Sequence, residues 1–173
     1  MKKIGKQTTE FSDSPQINAA TSIVSSKEQQ GPLGEYFEEV ISGPYNNQDT
    51  WDQAQMKLSK NAVDKVLQKD NKSKDEIDVL LGGDLLNQTV ASNFAARQFP
   101  VPFLGLFGAC STIIEGLAVG SMLVEGGAAN RVIPFTSSHY QATERQFRTP
   151  NEYGDKYPPY KQRTVTGSAA FIV

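Results

Sequence analysis

The chain has 173 residues, of which 38% are hydrophobic and 21% charged, and its 17 basic and 19 acidic residues give a net charge of −2 at pH 7. This length and composition predict one soluble domain, large enough to bury a real core. The near balance of charge gives no electrostatic case for nucleic-acid binding, which requires a basic face. The single cysteine excludes an intrachain disulfide framework and a multi-cysteine zinc site.

The amino-terminal segment predicts neither a secretory signal nor a membrane anchor. Residues 1–8 carry charge but no apolar core of the kind that a signal peptide needs. No window of the chain approaches the ~20 apolar residues of a membrane span. We therefore expect any membrane role to be peripheral.

Strand and helix patterns alternate along the first part of the chain. Ile17–Val24 predicts a first strand and Glu35–Ile41 a short helix. Asp49–Gln68 is the clearest amphipathic helix, because its apolar residues recur at helical spacing behind a capping residue. Ile77–Gly83 predicts a short buried strand, and Val90–Arg97 a further helix.

The second part of the chain continues this alternation. Pro100–Leu106 predicts an edge strand, and Ser111–Glu125 a helix that is apolar nearly all round and therefore buried on more than one side. Arg131–Ser137 predicts a strand, Phe147–Gln162 a long loop, and Thr164–Val173 a last strand. The alternation favours an α/β domain with a largely parallel sheet.

The only cysteine lies in a turn between a predicted strand and a predicted helix. Because the first N–H groups of a helix lack partners, the field at Cys110 favours a thiolate or a bound anion. The small residues Gly108 and Ala109 leave room for a sharp turn. Cys110 is thus either a nucleophile or the wall of an anion-binding pocket, and a buried core cysteine is the alternative.

Several segments resemble, in order, those of a known family. The turn Gly108–Ser111 resembles the nucleophile turn of the thiolase and ketoacyl-synthase superfamily. The wider pattern resembles the stage V sporulation protein AD family of that superfamily. The segments that carry this resemblance are Gly31–Gly34, Gly83–Gln88, Leu106–Thr112, Thr136–His139, Ala142–Arg148, Glu152–Gly154 and Thr164–Gly167.

The resemblance implies a thiolase-like layered α/β/α fold. We expect residues 1–173 to form one domain, the amino-terminal half of the usual two-half α-β-α-β-α architecture, with the carboxy-terminal half absent. It implies a spore protein, peripheral to the inner membrane, that binds dipicolinic acid, free or as its calcium complex, and supports its movement into or out of the spore. Other stage V sporulation proteins and a second copy of the chain are the implied partners. No cofactor and no resident metal ion are expected.

Dipicolinate is a planar dianion, so its site needs fixed hydrogen-bond donors. Cys110, Ser111 and Thr112 lie at a predicted helix N-terminus, which supplies such donors. Asn87 follows a strand, and His139 lies just past another strand end. The alternatives are helix caps for Ser111 and Thr112, a turn residue for Asn87 and an ordinary hydrogen-bonding residue for His139.

Two functions remain open from the sequence. One is binding of dipicolinate without turnover, with no catalytic residue. The other is thiolase-type or ketoacyl-synthase-type acyl transfer with Cys110 as the acyl-carrying nucleophile, which also needs a histidine and an oxyanion hole. The only histidine is His139. The resemblance favours binding, because it is closer to the sporulation family than to any condensing enzyme.

Overall fold

The computed structural model describes residues 1–147, 160 and 162–173, which form an α/β fold around a six-stranded sheet. A separate hairpin precedes that sheet. The strands are β1 (Lys2–Ile4), β2 (Thr8–Glu10), β3 (Ala19–Ser25), β4 (Glu39–Ile41), β5 (Val79–Asp84), β6 (Phe103–Gly105), β7 (Val132–Ser138) and β8 (Gly167–Ile172). The helices are α1 (Ser26–Gln29), α2 (Trp51–Lys69), α3 (Val90–Ala96), α4 (Thr112–Glu125) and α5 (Tyr140–Phe147).

The main sheet has the strand order β4-β3-β8-β7-β5-β6. The pairs β3–β4, β5–β6 and β5–β7 are parallel, whereas β8 runs antiparallel to both β3 and β7. The predicted α/β class is confirmed, and β8 is the one strand that breaks the parallel pattern. Its direction brings the chain just before Gly167 back to the carboxyl end of β7.

Helices pack on both faces of the sheet. Because side chains alternate along a strand, Leu80 and Ile133 face the core that contains α2, whereas Leu81 and Val132 face α4. Helix α3 packs beside α2, against β5 and β6. No helix among the described residues is both long and apolar enough to cross a membrane.

The predicted helix at residues 49–68 is present as α2. Thr50 caps it by accepting a hydrogen bond from the Gln53 amide at 3.2 Å. Leu58, Ala62 and Val66 lie on one face and are fully buried against the sheet. Helical periodicity and the cap therefore sufficed to predict this element.

Within the described residues, α4 packs on the sheet with one side and leaves the other side uncovered. Its burial on a second side stays a prediction. Of the residues of α4, only Thr112, Gly116 and Gly120 are buried. The two glycines let the helix lie close to β7. A Cβ at residue 116 would lie 2.9 Å from that of Pro134. On the opposite face, Ile114 is 66% exposed.

The prediction of a short helix at Glu35–Ile41 was wrong. A single 3₁₀ turn, Gly34–Tyr36, is followed by β4, which pairs in parallel with β3. One turn is too short to nucleate a helix on its own, and Val40 and Ile41 suit a strand. The predicted loop Phe147–Gln162 lies almost entirely outside the described residues. The patterns of the sequence did not reveal β1, β2, α1 or α5.

Candidate functional site

The cysteine turn is anchored on β5. The Leu106 amide donates to the Gly82 carbonyl at 2.8 Å, which extends the pairing of β6 with β5 by one residue. A Cβ at residue 83 would collide with the carbonyl oxygen of Leu106. Gly83 therefore allows the turn to pass directly over the end of β5.

The turn itself places a non-glycine residue in the left-handed region. Ala109 has φ of +48°, and a 3₁₀ turn, Ala109–Ser111, leads directly into α4. Gly108 has an ordinary φ of −80°. What Gly108 provides is space, because a Cβ there would collide with the Glu115 carboxylate. The sharp turn predicted at Gly108 and Ala109 is therefore strained at Ala109.

Cys110 is exposed and borders a cavity of about 690 Å³. Alternation along β3 and β7 shows that Ser22, Val24, Thr136 and Ser138 line it from the sheet face that also carries α4. Phe37 and Leu85 supply further apolar wall, Ser168 and Thr164 further hydroxyls, and Glu144 and Arg163 the charges. An open, mostly apolar cavity with a few polar groups is typical of a small-molecule site.

Cys110 is the only predicted ligand-binding residue that lines this cavity. The Ser111 hydroxyl donates to the Gly108 carbonyl at 2.8 Å, so it stabilises the turn from outside the cavity. Thr112 is 1% exposed, and its side chain packs against Gly83. Its buried hydroxyl has no partner among the described residues. The structure thus separates Ser111 and Thr112 from the space beside Cys110.

Asn87 also lies away from the cavity beside Cys110. It borders a smaller depression together with Gln88 and Gln146, and its main-chain N–H donates to the Gln146 side-chain oxygen at 2.8 Å. Leu85 lines both hollows. In this arrangement Asn87 joins the chain after β5 to α5, as the alternative of a turn residue anticipates.

His139 is fully buried and does not line the cavity. Its Nε2 lies 2.6 Å from the Pro44 carbonyl, which can only accept, so this nitrogen carries the proton. Nδ1 accepts from the Ala142 amide at 3.5 Å, at the start of α5. Burial lowers the pKa of His139 below its ordinary 6.5, against the opposing bond to Pro44. The ligand role predicted for His139 does not match this position, because both ring nitrogens already bind main chain.

Asp84, at the end of β5, holds the chain that follows this strand. Its two carboxylate oxygens accept from the amides of Leu86 at 2.8 Å and Ser92 at 2.7 Å. Burial raises the pKa of Asp84, and these hydrogen bonds oppose the shift. This carboxylate fixes the path from β5 into α3 and does not line the cavity beside Cys110.

The sequence did not reveal the charged lining residues Glu144 and Arg163. Glu144 lies in α5, which the sequence patterns did not reveal, and the position of Arg163 depends on the direction of β8, which local patterns do not encode. A retrospective signal exists in the polar run Thr136–Ser138, since side chains at the carboxyl end of a strand in an open α/β sheet commonly border a ligand site.

Solved structures of similar fold place this architecture in a class. OleA (H285N) of Xanthomonas campestris superposes with a TM-score of 0.64 at 13% identity, covering 94% of this chain and 56% of that one. β-Ketoacyl-[acyl carrier protein] synthase III of Thermus thermophilus superposes with a TM-score of 0.59 at 14% identity, covering 92% of this chain and 51% of that one. At such identities the likeness concerns the fold alone, and that fold is thiolase-like.

Sequence comparison gives the family. Residues 5–173 match the family model described as Stage V sporulation protein AD (SpoVAD). The chain is 47% identical over 173 residues to stage V sporulation protein AD of Bacillus subtilis (strain 168). The chain therefore belongs to the stage V sporulation protein AD family. It covers 51% of that relative, so it spans about half the relative's length.

Proposed function

We propose that this sporulation protein binds dipicolinate in the cavity beside Cys110, without turnover, and so supports the movement of dipicolinate into or out of the spore. The observation that carries the proposal is the cavity itself. Its volume of about 690 Å³ falls in the range of small-molecule sites. It lies at the cysteine turn of a thiolase-like fold, and the family resemblance also implies a ligand site at this turn.

The lining suits a planar aromatic dianion. Val24, Phe37 and Leu85 offer apolar surface for a ring. Arg163 offers a positive charge, and carboxylates removed from water require such a partner. The exposed side chain of Cys110 then forms a wall of the site.

His139 is not placed to act as the base or acid for Cys110. A cysteine nucleophile needs such a group within reach. These 173 residues span about half of the relative and contain one histidine, His139. It is fully buried and bonded through both ring nitrogens to main chain. The second candidate is acyl transfer through Cys110, which its exposure at a thiolase-like turn favours.

Calorimetric titration of the full-length protein tests the first proposal. We expect dipicolinate to bind the wild type, and Cys110→Trp to weaken binding because an indole fills part of the cavity. Ser111→Ala is the matched control, since its hydroxyl is bonded outside the cavity. Absence of binding to the wild type would contradict the proposal. Equal binding by Cys110→Trp would show that the ligand binds elsewhere.

An acyl-CoA assay separates the two candidates. We expect at most slow, single acylation of Cys110 and no repeated turnover of acetoacetyl-CoA. Sustained turnover that disappears in Cys110→Ala would establish the enzyme and contradict the binding role without catalysis.

We further propose a homodimer that acts with other stage V sporulation proteins, peripheral to the spore inner membrane. This part rests on the family resemblance. Light scattering of the full-length protein should give twice the monomer mass. Fractionation of spores should recover the protein with the inner membrane and release it at high salt, which an integral protein would resist.

A further inference from the structure

Most hydroxyl groups of the cavity beside Cys110 have no hydrogen left to donate to a ligand. Ser138 donates to the Val165 carbonyl at 2.6 Å, Ser168 to that of Thr136 at 2.8 Å, and Thr136 to that of Gly83 at 2.9 Å. A hydroxyl has a single hydrogen, so these groups can only accept. They cannot recognise a carboxylate, which also only accepts.

The two charged lining residues differ in whether a described residue already binds their charged group. Glu144 is 6% exposed and accepts from the Thr164 hydroxyl at 3.2 Å, so the Thr164 hydrogen is also engaged. Arg163 is the only cation among the described lining residues and forms no ion pair with any described residue. Arg163 is exposed and also borders the neighbouring hollow that includes Pro44 and Tyr140. Its guanidinium is thus the one positively charged donor that the described lining offers to a ligand.

The main chain at Thr166, three residues after Arg163, is held in place. The Thr166 amide donates to the Glu28 carboxylate at 3.2 Å, and the Thr166 hydroxyl accepts from the Tyr140 amide at 2.9 Å. The Thr166 carbonyl accepts from the Ser25 amide at 3.0 Å. A donor on a fixed segment loses less conformational freedom when it binds a ligand.

We propose that Arg163 is the residue that recognises a ligand carboxylate in this cavity, through a two-pronged guanidinium–carboxylate pair. This inference rests on the proposed function and names the group that gives it selectivity. The planar fork of arginine matches the two oxygens of a carboxylate, whereas lysine offers a point charge.

Titration of the full-length protein with dipicolinate tests the assignment. We expect Arg163→Gln to weaken binding roughly ten- to a hundredfold, the range for losing a charged hydrogen-bonded pair. Arg163→Lys should lose less, because it retains the charge without the fork. Arg131→Gln is the matched control, since Arg131 precedes β7 at the opposite end of that strand and lies 4.0 Å from Glu76.

The outcomes distinguish failure of the Arg163 assignment from failure of the proposed function. Wild type that binds, with an equal affinity in a folded Arg163→Gln, overturns the role of Arg163 and leaves the proposed function intact. Wild type that does not bind contradicts the proposed function. Thermal melts establish that each variant is folded, and if Arg163→Gln does not fold, wild-type affinity in Arg163→Lys overturns the two-pronged pair.

Discussion

Helices α2 and α4 cover opposite faces of the same sheet in different ways. Helix α2 buries a full stripe of side chains, including a polar group in which the Ser59 hydroxyl donates to that of Ser137 at 2.7 Å. Helix α4 buries only a threonine and two glycines and exposes Ile114 and Met122. Both faces of the sheet carry a buried core, since Leu81 and Val132 lie under α4. Of these two helices, only α4 leaves large apolar side chains exposed on its outer side within the described residues.

The cavity lies on the side of the sheet that carries α4. The cysteine turn leads into α4, and the lining residues Ser22 and Thr136 lie on this side of β3 and β7. A closed core suits stability, whereas a ligand site needs exposed groups and space. The contrast predicts that substitutions behind α2 change mainly stability and those beside α4 mainly binding.

The largest stability effect should come from the side of the sheet that carries α2. Leu58→Ala removes a fully buried side chain and should cost about 2–5 kcal/mol. Ile114→Ala removes a side chain that is 66% exposed and should stay within about 0.5 kcal/mol. Urea denaturation of both variants makes the comparison, and equal losses would show that the two helices do not differ as described.

The close approach of α4 to β7 gives the next effect. Gly116→Ala should lower stability by about 1–2 kcal/mol, because the new Cβ lies 2.9 Å from that of Pro134 and outweighs the better helix propensity. In Gly120→Ala the nearest atom is a side-chain carbon of Val132 at 3.3 Å, so we expect little change. A more stable Gly116→Ala variant would refute this packing.

His139 should give a smaller effect that depends on pH. Its pKa in the folded protein lies below the ordinary 6.5, so between these two values the unfolded chain binds more protons. Stability should therefore rise with pH through this window and level off above about 6.5. His139→Gln should remove this part of the pH dependence in thermal melts. An unchanged profile would mean that His139 does not stay neutral in the fold.

The smallest effect concerns the strained turn. Ala109→Gly should be neutral or stabilising by up to about 1 kcal/mol, because glycine adopts a positive φ without steric cost. The same change at Ala118, an exposed position in α4, should instead cost about 1 kcal/mol. Calorimetric melts resolve the two signs, and a loss at both positions would contradict the left-handed turn.

The sequence predicted the parts of the fold that local patterns determine. The helical spacing of the apolar residues in α2 and the capping residue Thr50 predicted that helix, and the apolar run before Gly82 predicted β5. The antiparallel direction of β8 and the parallel pairing of β4 depend on distant partners, so they were beyond local patterns. The sequence shows that α4 is apolar nearly all round, but it does not show what covers the outer side of this helix.

The candidate site was predicted only at its centre. Cys110 could be located because a strand, a small-residue turn and an apolar helix are adjacent in sequence. Arg163 and Glu144 reach the cavity through tertiary structure. His139 and Thr112 carry suitable chemistry, but the fold buries them, and only the structure shows which polar groups are already bonded.

Protection of Cys110 tests most directly whether the cavity beside it holds dipicolinate. The full-length protein is alkylated with iodoacetamide, and the Cys110 peptide is followed by mass spectrometry with increasing dipicolinate. We expect alkylation to slow along the calorimetric binding curve, and the same concentration of benzoate to have little effect. Full-rate alkylation of Cys110 at saturating dipicolinate would show that the ligand binds elsewhere and would contradict the account.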